Sequence, residues 1–246
     1  PRLILASASP RRRDVLVQLG LDPDVAPAHV DETYLPGETP VEHVERLARL
    51  KAETAAGRGE GAARNGGAST GAGRIREAPD EGEAGAPAAA RGAGTVEGAR
   101  PARLVVGGDT VVVHGERVLA KPADEDEAVA MLRSLSGAAH EVLSGLALAW
   151  EGGTVSGVTR TAVRMRRFDE ATARRYVETG EPMDKAGAYG IQGKGAALVE
   201  GIEGDYYSVV GFPVGLFLEL LERVGWRFAF DSFVPLSPPE PPPSTS

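Results

Sequence analysis

Residues 103–122 read RLVVGGDTVVVHGERVLAKP, and the rest of the chain is understood from this stretch outward. Leu104, Val105 and Val106 form an apolar, largely β-branched run, which predicts a short buried strand. Gly107 and Gly108 are expected to end it, because paired glycines let the backbone turn sharply and approach a ligand with no Cβ in the way. A second apolar run covers Val111 to Val113. His114-Gly115-Glu116-Arg117 then predicts a hairpin turn, with Val118-Leu119 returning. Asp109 and Thr110 stand at the mouth of the first strand, and Lys121 closes the unit. Asp109 suits a metal ligand or a general base, and Lys121 suits an anion. The competing account is that Asp109 and Thr110 only satisfy a turn, as short polar side chains often do.

A second polar cluster lies near the start. Arg2 to Ala6 predicts a strand, followed by Ser7-Ala8-Ser9-Pro10-Arg11-Arg12-Arg13. Ser9 is expected to cap a helix with Pro10 as its first residue; Val15, Leu16 and Leu19 form its apolar face and Gly20 its stop. Three arginines in a first turn oppose the helix dipole, so they favour an anion site over a merely solvated basic turn. Asp31 and Glu32 are adjacent carboxylates able to share a divalent cation, although such pairs are more often surface charge. Val41 to Glu53 predicts a helix in which Lys51 continues the stripe of Val44, Leu47 and Ala48. A lysine there either points into a cleft or snorkels outward, and snorkelling is the commoner case.

Thr54 to Ala102 differs in kind. Of these 49 residues, 12 are glycine and 15 alanine, with no aromatic residue. Such a segment cannot bury enough apolar surface to offset its ordering entropy, so it is expected to be a disordered insertion within one domain spanning residues 1–236. Residues 237–246, rich in proline and serine, are expected to be a disordered tail. Beyond Lys121, Asp124 caps a helix carrying Ala128, Met131, Leu132 and Leu135 at helical spacing. His140 to Trp150 and Thr154 to Arg167 predict a hairpin around Glu151-Gly152-Gly153, and Asp169 caps a helix running toward Gly180. Glu181 to Gly195 is glycine-rich, carries Asp184, Lys185, Gln192 and Lys194, and fits neither a helix nor a strand period. It is expected to be a functional loop leading to a strand from Ala196 to Ile202. No Gly-Lys-Ser/Thr closes it, so it is not a Walker A loop. Gln192 has both donor and acceptor atoms, which suits reading a base edge. Pro213 opens a last helix with Val214, Phe217, Leu218 and Leu221 on one face.

The whole-chain quantities narrow the classes. A length of 246 residues allows one large or two small domains. A net charge of −8 argues against nucleic-acid coating. No run approaches the length of a membrane span, and the opening residues carry no signal-peptide pattern. Cysteine is absent, which leaves no thiolate site and fits a soluble cytoplasmic protein.

Five motifs stand in a fixed order: SASPRR (Ser7 to Arg12), GGDT (Gly107 to Thr110), AKP (Ala120 to Pro122), DKAGAYGIQG (Asp184 to Gly193) and VVGFPV (Val209 to Val214). In these the sequence resembles the Maf family of nucleoside triphosphate pyrophosphatases over residues 2–53 and 103 to about 230. One departure is Gly108, where the family usually carries alanine. The resemblance implies an α/β fold related to the inosine triphosphatases, with a mixed β-sheet, flanking helices and a deep cleft, usually as a homodimer. It implies hydrolysis of a nucleotide between its α- and β-phosphates with a divalent metal cation, Mg²⁺ or Mn²⁺. The DKAGAYGIQG form is similar to the branch acting on dTTP and UTP. By position, Asp109 matches the family's proton acceptor, and Arg11, Thr110 and Gln192 match positions tied to substrate choice.

The residues fit that chemistry. Ser7, Ser9, Arg11 and Arg12 would cradle phosphate, and Lys51, Lys121 and Lys185 would clamp the triphosphate. Asp109 and Glu32 would hold the metal, with Asp31 behind them, and Asp184 would hold Lys185 or a metal. Thr110 and Gln192 would read O4, N3 or O2 of a pyrimidine. Two other readings remain at this stage: a nucleotide-binding regulator of cell division with little hydrolysis, and a pyrophosphatase for 7-methyl-GTP or inosine triphosphate.

Overall fold

A computed structural model of the protein describes residues 1–57 and 101–236. The expected insertion falls mostly, and the expected tail wholly, outside the described residues. In chain order the elements are β1 (Arg2–Leu5), α1 (Pro10–Gln18), β2 (Asp24–Val25), α2 (Pro40–Ala55), β3 (Arg103–His114), β4 (Arg117–Leu119), α3 (Glu125–Leu135), β5 (Ala139–Trp150), β6 (Gly153–Met165), α4 (Glu170–Val177), β7 (Val199–Glu203), α5 (Tyr206–Val210), α6 (Val214–Arg223), β8 (Trp226–Phe228) and β9 (Phe233–Pro235). Seven strands form one mixed sheet in the order β2-β1-β3-β5-β6-β7, with β4 added to β3. β1 runs parallel to β2 and β3, and the other pairings in this sheet are antiparallel. β8 and β9 make a separate hairpin. The α/β class with a mixed sheet and flanking helices is therefore the fold observed.

β3 decides where an opening can form. Along one edge it pairs with β5 without a break from Val105 to Val113. Along the other edge it pairs with β1 only as far as Val106, and with β4 only from Val112. Between those points β1 has ended and turned into α1, so residues 107–111 of β3 border an opening. This is the kind of strand-end crevice in which open α/β sheets place ligands.

The two glycines expected to end the strand instead lie inside it. Their function is close packing. A Cβ on Gly107 would lie 2.3 Å from the Ala48 carbonyl oxygen, and one on Gly145 of β5 would lie 2.5 Å from that of Val44. Both carbonyls belong to α2, which therefore crosses the sheet with its backbone almost touching the strands. Ala48 and Ala52 complete that close seam with Val105, Ala147 and Ala149. α2 starts cleanly because Thr39 and Glu42 form a reciprocal capping box ahead of Pro40, and it extends two residues past the expected end.

The opposite face of the sheet carries two cores. In one, Val15 and Leu16 of α1 and Phe217, Leu220 and Leu221 of α6 pack on Leu104, Val106, Leu146 and Leu148. In the other, Leu132 and Leu135 of α3 and Ala173 and Tyr176 of α4 pack on Val112, Val142, Val163 and Met165. Even-numbered β3 residues face these cores, while Val105 and Val111 face α2. The strand expected from Ala196 starts only at Val199, because Gly193–Leu198 forms a 3₁₀ turn. Tyr206–Val210, given no element from the sequence, is a short helix capped by Asp205.

Candidate active site

A cleft of about 790 Å³ opens at the exposed stretch of β3. Its walls come from the turn between β1 and α1, the segment before α2, α2 itself, the end of β4 and the 184–192 loop. Of the site residues expected from the sequence, all but Asp31 line it: Ser7, Ser9, Arg11, Arg12, Glu32, Lys51, Asp109, Thr110, Lys121, Asp184, Lys185 and Gln192. Asp31 does not line it. Its carboxylate accepts the Thr33 N–H at 2.9 Å and serves a turn.

Asp109 and Thr110 are neighbours on a strand, so alternation sends them to opposite faces. Asp109 faces α2. There Lys51 Nζ lies 2.8 Å from Asp109 Oδ1 and 2.6 Å from Glu32 Oε1. Lys51 is only 8 % exposed, so it takes the inward direction and not the commoner snorkelling one. Partial burial pushes the Glu32 carboxyl up, but the hydrogen bond and charge of Lys51, aided by Lys121 and Arg12, outweigh this and hold it below its ordinary value. Two carboxylates thus converge on one cationic point. Among the described residues no cluster of three or more His, Cys, Asp or Glu side chains forms a complete metal cage. Two hard oxygen donors beside room for phosphate oxygens and water fit a Mg²⁺-type ion, which usually takes one or two protein carboxylates.

Thr110 faces the other way, toward Arg12. The Arg12 guanidinium donates to the Gly211 carbonyl at 2.8 Å, to Ser7 Oγ at 3.0 Å and to Thr110 Oγ1 at 3.3 Å. Burial pulls the Arg12 guanidinium down from its ordinary value, opposed by Asp109. Three of its five N–H groups are engaged, leaving two for an anion. Behind Thr110 stands a hydroxyl ladder. Thr110 Oγ1 lies 2.9 Å from Ser144 Oγ, and Ser144 donates to the Ser208 carbonyl at 2.7 Å. A carbonyl only accepts, so the single Ser144 proton is used there and Thr110 must donate to Ser144. Thr110 therefore faces the cleft as an acceptor. Ser144, Ser208 and the Gly211 carbonyl were not singled out from sequence, since isolated hydroxyls inside apolar runs give no local signal.

The α1 terminus differs from expectation in one detail. Ser9 occupies the cap position, but its hydroxyl makes no capping bond; its N–H donates instead to Ser7 Oγ at 3.2 Å. The first helical N–H groups are thus not masked by a side chain. On the far wall Arg11 Nη1 meets Asp184 Oδ2 at 2.9 Å, and Lys185 Nζ meets Asp184 Oδ1 at 2.6 Å. Asp184 is thereby tied to two cations. Partial burial pushes its carboxyl up, yet the hydrogen bonds from Lys185 and Arg11 hold it below its ordinary value.

The segment before α2 and the first turn of that helix each add a residue that the sequence did not mark. Tyr34 stacks on His43 with ring centroids 3.5 Å apart and planes 2° from parallel, and both line the cleft. His43 Nδ1 lies 3.0 Å from Glu38 Oε2, and Arg46 pairs with the same carboxylate. Burial, with Asp109 and Glu38 nearby, pushes the Tyr34 phenol up to about 12. The hydrogen bond from Arg46 draws the Glu38 carboxyl down to about 2, despite burial.

Fold and cleft together define an α/β protein with a cation-walled, carboxylate-bearing pocket at a break in strand pairing. The family model described as Maf-like protein matches residues 2–224, and the chain belongs to the Maf family. It is similar to the dTTP/UTP pyrophosphatase of Pelotomaculum thermopropionicum, 41 % identical over 227 residues that cover 92 % of this chain and 97 % of the relative. The dTTP/UTP pyrophosphatase of Anaeromyxobacter dehalogenans strain 2CP-1 is 40 % identical over 235 residues, covering 94 % and 98 %. That of Thermococcus gammatolerans is 40 % identical over 220 residues, covering 89 % and 95 %.

Proposed function

We propose that the protein is a nucleoside triphosphate pyrophosphatase that hydrolyses dTTP and UTP to the monophosphate and pyrophosphate. Relatives that bear this activity in their names align over nearly their whole length. The observation that carries the reading is the joining, in one cleft, of Lys51-bridged carboxylates with the Arg12 and Arg11–Lys185 walls.

Water attacks the α-phosphorus; one bond forms from the water oxygen to phosphorus, and the bond to the bridging oxygen breaks. Asp109 orients that water and takes its proton. The two remaining N–H groups of Arg12 and the first N–H groups of α1 hold phosphate oxygens. Arg11, Lys121 and Lys185 balance the charge gathering on the departing pyrophosphate. Glu32 and Asp109 are the side chains that would hold a divalent cation, Mg²⁺ or Mn²⁺, whose chemistry is neutralising phosphate oxygens. Lys51 keeps the two carboxylates together. Thr110, as an acceptor, suits the N3–H of thymine or uracil, while Gln192 suits O4 or O2. Cytosine has no N3–H and presents a lone pair there, so two acceptors face each other and it is rejected.

Pyrophosphate release from dTTP, UTP, CTP, dITP and 7-methyl-GTP, with and without Mg²⁺ or Mn²⁺, tests this. Metal-dependent release with dTTP and UTP is the expected result. Release confined to purine nucleotides, or tight binding with no release, defeats it. A homodimer in the cytoplasm completes the proposal. Light scattering of the purified chain checks the first part, and cell fractionation the second.

A further inference from the structure

The loop carrying Lys185 and Gln192 is closed on itself by a residue outside the cleft. Glu181 does not line the cleft, yet its carboxylate joins the two ends of the loop. Oε1 accepts the Tyr176 hydroxyl and the Gly195 N–H, each at 2.9 Å, and Oε2 accepts the Lys194 N–H at 2.9 Å. The Tyr176 oxygen in turn accepts the Gly190 N–H at 3.0 Å. The Glu181 carbonyl accepts Lys185 Nζ. Partial burial pushes the Glu181 carboxyl up, but the N–H groups of Gly195 and Lys194 outweigh it, and the carboxylate form is favoured. The loop has no slack around this knot. A Cβ on Gly195 would lie 2.2 Å from the Gly190 carbonyl oxygen and 2.5 Å from the Tyr176 hydroxyl, and one on Gly193 would lie 2.8 Å from Glu181 Oε2.

Gln192 stands between the two tied points, Gly190 on one side and Lys194–Gly195 on the other. We infer that Glu181, with Tyr176 behind it, is a positioning residue for base selection: it fixes the short arc from which Gln192 reaches into the cleft, without touching the nucleotide. This rests on the reading of Gln192 as the side chain facing the pyrimidine edge. Directional hydrogen bonding discriminates between bases only when the donor and acceptor are held in place, so loosening the arc costs selectivity before it costs binding of the phosphates.

The test uses Glu181→Gln, in which an amide NH₂ must, in either orientation, face one backbone N–H that needs an acceptor. Values of kcat and KM for dTTP and CTP are measured for wild type, Glu181→Gln, Gln192→Ala and the double variant, with amide exchange at Lys194 and Gly195. In Glu181→Gln the preference for dTTP over CTP is expected to fall about tenfold. The two amides exchange faster, and Glu181→Gln adds no further loss of preference on top of Gln192→Ala. Additive losses in the double variant overturn the inference. So does unchanged preference alongside faster exchange. Tyr176→Phe, which keeps the ring and removes the oxygen, decides the matter in the same way if Glu181→Gln does not fold. A wild-type enzyme with no preference between dTTP and CTP defeats the function reading itself, and that failure is visible before any variant is made.

Discussion

Asp109 and Thr110 are adjacent, yet they belong to two unlike halves of one cleft. On the α2 face an ammonium bridges two carboxylates. On the other face Thr110 is one rung of a ladder of neutral hydroxyls that ends at Ser208 and props a single guanidinium. The charged half is suited to chemistry, because its groups can exchange partners: the oxygens that Lys51 holds are the ones a divalent cation or a water would use. The neutral half is suited to holding still, since each proton has one acceptor and any reorientation leaves a buried group unpaired.

Breaking the charged half has the largest expected effect. Asp109→Asn removes the proposed proton acceptor and is expected to lower kcat by about 10³-fold, within the range for a general base, with an unchanged circular dichroism spectrum. Normal turnover in that variant removes Asp109 from the mechanism. Next is Arg12→Lys, which keeps the charge but cannot reach Ser7, Thr110 and Gly211 together. A fall in kcat/KM of about 10²-fold for dTTP is expected, since a lysine does not reproduce a planar fork of donors. A variant with wild-type kcat/KM shows that charge alone suffices there.

The neutral half is expected to respond in stability more than in rate. Ser144→Ala deprives Thr110 of its acceptor and the Ser208 carbonyl of its donor. Loss of about 1–3 kcal/mol in a urea melt is expected, with kcat changed by less than roughly tenfold. A larger loss of kcat than of stability sharpens the comparison by moving the ladder into the chemistry. The smallest effect belongs to Glu38, which precedes α2 and pairs with His43 and Arg46. Its carboxyl is drawn from an ordinary 4.5 to about 2 in the folded state, so its contribution to stability is present above pH 4.5. That contribution is lost as pH falls toward 2. Glu38→Gln is therefore expected to melt below wild type at pH 7, and the two Tm values to converge between about pH 4.5 and 2. A gap that persists at pH 2 shows that Glu38 acts through shape and not charge.

Much of the site is legible in the sequence alone, because it is built from short motifs in which residue type and neighbours carry the chemistry. SASPRR, GGDT and DKAGAYGIQG each name their own charged groups, and all of those groups meet in the cleft. Where local reading failed, the deciding contact came from far along the chain. Gly107 and Gly108 read as a strand end because paired glycines usually break strands, but Gly107 is required by α2, whose backbone lies against it. Ser9 does stand at the cap position that its residue type predicts, but its hydroxyl makes no capping bond. Glu181 carried no signal, since one acid at the edge of a loop looks like any surface charge.

The sequence by itself determined the class of fold and the identity of the charged groups. Apolar periodicity and turn residues mark strands and helices locally, and the motifs name the acids and bases present. Only the tertiary structure decided direction and pairing. Lys51 and Asp109 are 58 residues apart, and their ion pair exists because α2 packs on β3 at glycine distance. Thr110 is an acceptor toward the cleft only because Ser144 and Ser208, on other elements, take its proton down a ladder. Such facts depend on which backbones touch, and a residue's immediate neighbours in sequence do not carry that information.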